Sequence, residues 1–168
     1  MTSDKVRKLV TIALIAAVYT VLTLIDPLSF GAVQLRASEI LTILPAVTPL
    51  AIPGLTLGCF LANAASPIPL DVVFGTLATL LAGFASFALR KITLTVKGRK
   101  YPYLSALAPV IFNGVIVGCE LGIFYGTTDP RAFILNMVLV ASGELAACAA
   151  GLILFPVFER LFNVLEIK

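Results

Sequence analysis

Residues 129–158 read DPRAFILNMVLVASGELAACAAGLILFPVF. The run Phe133–Phe158 exceeds the roughly 20 apolar residues that a helix needs to cross a bilayer. It opens with a helix-start signature, Asp129 as N-cap and Pro130 at the first helical position. One ionisable group, Glu144, interrupts it. Working outward, five more apolar runs precede it: Leu9–Ile25, Ile40–Ile52, Gly54–Ala65, Val72–Leu89 and Leu104–Tyr125. The 168 residues are 60% hydrophobic and 12% charged, against about 25% charged in a soluble domain. A soluble globule of this size has no interior large enough for that much apolar side chain. Disorder and a nucleic-acid surface are excluded on the same ground. The expectation is an all-α integral membrane protein, a single domain over residues 1–168.

The second and third runs are short. As α-helices they reach about 20 Å or less, against a hydrocarbon core of about 30 Å. Pro45, Pro49 and Pro53-Gly54 break the stretch between Ala37 and Pro67 near its middle. This predicts a proline-broken helix 2/helix 3 pair, either spanning or dipping in as a hairpin, within a six-helix bundle. Ten of the twelve basic residues lie at the N-terminus (Lys5, Arg7, Lys8), in the loop 90–100 (Arg90, Lys91, Lys97, Arg99, Lys100) and at the C-terminus (Arg160, Lys168). The positive-inside rule then puts both termini and that loop in the cytoplasm of a multi-pass plasma-membrane protein. Lys5, Arg7 and Lys8 flank a first span rather than a secretory signal, because Leu9–Ile25 is too long for a signal core.

The acids divide unevenly in that orientation. Asp26, Glu39, Asp71, Glu120, Asp129 and Glu144 fall outside or within the spans. Glu144 is the deepest, about 21 Å along its helix from Pro130. Ionisable groups in a span are costly and mark functional sites by default. Asn113 and Glu120 are seven apart and share a face; Asn136 and Glu144, eight apart, share one broad side. Gln34, Arg36 and Glu39 lie before and at the start of the second helix, and Asn63 and Asp71 flank the turn 66–69. The residues describe an outward-facing polar pocket with a dry inner half. Plainer roles stay open: an Arg36–Glu39 ion pair, Asp71 as an N-cap, and Asn113 and Asn136 as links between helices. Glu120 and Glu144 resist such readings, since no basic residue lies within the last two spans.

Other chemistry is sparse. Histidine is absent, and Cys59, Cys119 and Cys148 sit singly in apolar runs, so no metal site or cofactor is expected and the cysteines read as buried apolar side chains. There is no phosphate loop and no nucleophile–base pair, so neither an ATPase nor another enzyme is expected. No inverted repeat of the transporter kind is evident. Ala13 and Ala17 form a small-xxx-small stripe on the first helix, which suits close helix approach inside the bundle or against another membrane protein.

Three stretches carry a family likeness: residues 30–39 (FGAVQLRASE) followed by Leu44-Pro45, residues 54–63 (GLTLGCFLAN) and residues 70–79 (LDVVFGTLAT). Together they resemble the QueT-type queuosine-precursor transporters, substrate-binding (S) components of energy-coupling factor (ECF) importers. The resemblance implies a six-helix fold that docks a transmembrane coupling subunit through the Ala13/Ala17 stripe. That subunit in turn joins two cytoplasmic ATPases. It also implies a 7-deazaguanine substrate, a preQ-type base or queuine. A carboxylate accepts the two parallel donors of a guanine edge, amides serve its O6 and N3 sides, and an aminomethyl cation suits a second carboxylate. Gln34, Arg36, Glu39, Asn63 and Asp71 carry over from the motif as substrate-binding residues. Asn113, Glu120, Asn136 and Glu144 join them on position, with Phe30, Phe74 or Tyr125 to stack on the base. Uptake of another vitamin or base, or a structural or enzymatic membrane subunit, remain rival readings.

Overall fold

A computed structural model describes residues 3–29 and 34–165. Four helices are long and apolar enough to cross a membrane: α1 (Ser3–Ile25), α3 (Asp71–Leu89), α4 (Tyr103–Phe124) and α5 (Pro130–Val164). Between α1 and α3 lie two short helices, a 3-10 helix (Ala37–Ala46) and α2 (Ala51–Asn63). The expected proline break is there, at residues 47–50. Val47 N and Thr48 N both bond to Leu44 O, at 2.8 and 2.9 Å, which closes the first of the pair.

The form of the first short helix departs from expectation. It is wound as 3-10 over ten residues, although such runs rarely exceed three or four. Three residues per turn bring Arg36, Glu39 and Thr42 into one row. The helix is also central: it touches α1, α2, α3, α4 and α5. Around it the α-helices pack in chain order, each against the next.

Small residues set the close approaches. A Cβ on Gly58 of α2 would stand 2.8 Å from Ala16 O and Tyr19 Cβ of α1, and one on Gly54 would stand 2.9 Å from Ile15. Thr20 Oγ1 adds a 3.1 Å bond to Gly58 O across the same contact. On α4, a Cβ at Gly118 would come within 2.5 Å of Met137 Cα. Ala13 and Ala17 are exposed, and Ala16 supplies the small face inside.

Pro109 removes one backbone donor from α4 and would leave Ser105 O unpaired. Ser86 Oγ of α3 donates to that oxygen at 2.7 Å, and Ser105 Oγ donates back to Ser86 O at 2.7 Å. The pair clips the two helices together where the proline opens the ladder.

The loop 90–100 also departs from an all-helical reading. It contains a hairpin, β1 (Leu94–Val96) and β2 (Arg99–Tyr101), with Val96 opposite Arg99. Lys97 and Gly98 hold φ of 50° and 78°, the left-handed pair a two-residue hairpin turn demands. α5 runs beyond Phe158 to Val164, and Asp129 Oδ1 accepts from Arg131 N at 2.9 Å as the expected N-cap. Cys59 and Cys148 are buried, whereas Cys119 is half-buried.

Arg7 of α1 lines a groove with Leu161 of α5 and Leu165 just after it, and Arg99 and Lys100 line a cavity with Arg160. The basic segments of α1, the hairpin and α5 therefore gather at one end of the bundle.

The glycine contacts predict opposite outcomes for one chemical change. Gly118→Ala drives a methyl into the α5 backbone and should cost about 1–3 kcal/mol. Gly83→Ala meets only Ile52 at 3.5–3.8 Å, ordinary packing, and should be neutral or stabilising by up to about 1 kcal/mol. Thermal unfolding in detergent should show the first variant melting lower and the second not; equal losses would contradict the packing described.

Candidate functional site

The polar groups gather at the end of the bundle away from the basic segments, and every helix contributes. Arg36, at the entry to the 3-10 helix, is 4% exposed. Its Nε donates to Ser29 O at 3.0 Å, its Nη2 donates to Gln34 Oε1 at 3.2 Å, and it pairs with Asp71 Oδ2 at 3.7 Å. Asp71, fully buried, opens α3 and accepts from Ser66 Oγ at 2.5 Å. It is not the N-cap: Leu70 holds that position without a side-chain bond. Asn63, at the end of α2, donates from Nδ2 to Asp71 O at 2.8 Å and to Cys59 Sγ at 3.2 Å. This joins α2 to the start of α3.

A second group surrounds the 3-10 helix. Glu39 is buried, and its Oε1 accepts from the Tyr19 hydroxyl of α1. One turn on, Thr42 Oγ1 lies 3.6 Å from Cys148 Sγ of α5. Glu144 of α5 accepts from Asn113 Nδ2 of α4 at 2.8 Å, and the Cys148 thiol points at its other oxygen from 3.9 Å. Arg36 is close enough for its charge to be felt at both Glu39 and Glu144.

Glu120 stands apart. It is 1% exposed, and neither carboxylate oxygen meets hydrogen-bond geometry with any partner, although the charges of Asp71 and Arg36 reach it. Buried polar atoms without a partner are uncommon and costly. Here they cluster. Glu39 Oε2, Asn63 Oδ1, Asp71 Oδ1 and both Glu120 oxygens are unpartnered acceptors, and Gln34 Nε2 is an unpartnered donor. Gln34 also holds a left-handed φ of 46°, a strained conformation of the kind that persists at ligand clamps.

Eight of the nine residues singled out from the sequence are thus buried in this one polar region. The exception is Asn136, half-buried on α5 with no hydrogen bond from its side chain among the described residues. Of the stacking candidates, Phe74 is half-buried, Tyr125 is exposed and packs edge-on against Phe124, and Phe30 lies outside the described residues. Tyr19 was not anticipated. Its signal was available: one tyrosine in line with Thr11, Ile15 and Thr23 on the inner stripe of α1, with a hydroxyl that needs a partner.

Among the described residues of this region, one guanidinium faces four carboxyl groups. Its unpartnered acceptors outnumber its unpartnered donors, and no group of three or more potential metal ligands forms among the described residues.

A family model described as QueT transporter matches residues 9–160. The queuosine precursor transporter QueT of Lactococcus lactis subsp. cremoris (strain MG1363) is 36% identical over 84 residues, 48% of this chain and 50% of that protein. The matched stretch therefore spans about half the length of that curated relative. No solved structure matches the chain. With the family model covering nearly the whole bundle and all the polar helices, the chain belongs to the QueT transporter family.

Proposed function

We propose that this protein is the substrate-binding component of an ECF-type importer, and that it captures a 7-deazaguanine queuosine precursor from outside the cell. The observation that carries the reading is the set of buried, unpartnered acceptors beside one unpartnered amide donor. A guanine-type base is the complement of that set. It offers N1–H and the 2-amino group side by side and carries O6 as an acceptor.

Glu120 is the reader of the donor edge in this scheme. Neither of its oxygens is held in hydrogen-bond geometry, so both can accept parallel donors. Glu144 serves as a support, its Oε1 already engaged by Asn113. Gln34 Nε2 donates to O6. Glu39, Asp71 and Asn63 accept the remaining donors, including an aminomethyl cation where the base carries one.

Uptake requires partners: a transmembrane coupling subunit and two ATPases, since the chain has no nucleotide-binding motif of its own. The exposed Ala13/Ala17 stripe of α1 is the docking surface in this reading. The gathering of the basic segments at one end supports an orientation with that end in the cytoplasm and the polar region facing out.

Titration of 7-aminomethyl-7-deazaguanine in detergent tests the site. Glu120→Gln should weaken binding by about 30- to 1000-fold, the equivalent of about 2–4 kcal/mol. The variant should stay folded, because Gln keeps the size of the side chain and removes a carboxyl group from beside that of Asp71. Glu144→Gln keeps an acceptor for Asn113 and should bind within about tenfold of wild type. The reverse ranking would move the donor-edge contact to Glu144, and unchanged binding in both would remove the carboxylates from the site.

Transport assays test the partners. The chain alone in liposomes should bind the base but not concentrate it. Ala17→Leu should reduce assembly with the coupling subunit and uptake while leaving affinity for the base intact. Accumulation by the chain alone, or a loss of base binding in Ala17→Leu, would contradict this division of labour.

A further inference from the structure

The opposite end of the bundle holds a second feature. A cavity of about 550 Å³ opens between the hairpin and the last turns of α5. Arg99 and Lys100 line it from β2, Arg160 lines it from α5, and Glu159 is the one acid among its lining residues. Phe155 and Val164 are among its apolar lining residues. The side chains of Arg99, Lys100 and Arg160 make no ion pair or hydrogen bond among the described residues.

Its position is set by length. α5 has 35 residues and runs about 52 Å, well beyond a hydrocarbon core of about 30 Å, so its last turns lie at the bilayer surface. The hairpin belongs to the same level. Leu94, Val96, Arg99 and Tyr101 share one of its faces through cross-strand pairing, with Thr95 and Lys100 on the other, and Leu94 and Val96 are exposed, as is Ile92 just before the strand. Exposed apolar side chains beside basic ones suit the boundary between acyl chains and headgroups.

We infer that this cavity is a binding site for an anionic phospholipid. The phosphate sits among Arg99, Lys100 and Arg160, and the glycerol and upper acyl chain run over Phe155 and Val164. Basic pockets at the cytoplasmic boundary of membrane helices recognise such headgroups through charge. The apolar floor selects an amphiphile over a free anion, and the exposed apolar hairpin face keeps the cavity at lipid depth rather than clear of the membrane.

Native mass spectrometry of the full chain released from nanodiscs with equal amounts of POPG and POPC tests this. Wild type should retain POPG over POPC. Arg99→Gln, Lys100→Gln and Arg160→Gln combined should cut POPG retention by roughly 100-fold, since each charge is worth about fivefold. Circular dichroism and thermal unfolding report whether that variant folds; if it does not, Lys100→Gln alone should give a drop of about fivefold. Arg160→Lys should keep most of the preference. Equal retention of the two lipids, or POPG retention unchanged in the charge variants, overturns the site. Displacement of POPG by inorganic phosphate at equal concentration would assign the cavity to a free anion instead. Loss of assembly with the coupling subunit while POPG retention stays unchanged would make it a protein-docking face.

Discussion

A guanidinium buried inside an apolar bundle must be surrounded by acceptors, because an uncompensated charge there costs several kcal/mol. Arg36 meets that demand with three elements: Ser29 O after α1, Gln34 before the 3-10 helix, and Asp71 at the start of α3. These contacts tie together two connections that are far apart in the chain. Asp71 in turn draws in Ser66, and its backbone oxygen holds Asn63. The polar end of the bundle is thus a network built outward from one cation, and it needs the 3-10 helix where it is.

That helix explains why the polar region is shared by all the others. Its winding stacks Arg36, Glu39 and Thr42 in one row, and its central position lets that row meet α1 through Tyr19 and α5 through Cys148. An α-helix would offset successive members of the row, three residues apart, by about 60° and fan the three over about 120°. The surrounding helices come close because glycines line their contacts, and the Ser86–Ser105 pair restores the bonding that Pro109 removes.

The two ends suit different partners. One end holds an excess of buried carboxyl groups, complementary to a small donor-rich molecule. The other carries cations and exposed apolar side chains, complementary to the surface of an anionic membrane.

Much of this was legible in the residues alone. Four apolar runs of 17 or more residues mark the long helices without reference to tertiary contacts, Asp129-Pro130 marks the start of α5, and the prolines mark the break between the short helices. Eight buried polar positions stood out because ionisable and amide groups are rare in such runs. The hairpin had a signal too, Lys97-Gly98 between alternating side chains. Tertiary structure alone decided the rest. It wound residues 37–46 as a 3-10 helix, left Asn136 at the rim, turned Ala16 rather than Ala13 or Ala17 inward, and brought Tyr19 to Glu39. It also distinguished Glu144, which accepts a hydrogen bond from Asn113, from Glu120, which lies beside Asp71 with neither oxygen in hydrogen-bond geometry. The reason is physical: sequence spacing says which groups share a face of one helix, but whether a buried oxygen is satisfied depends on the neighbour that packs against it.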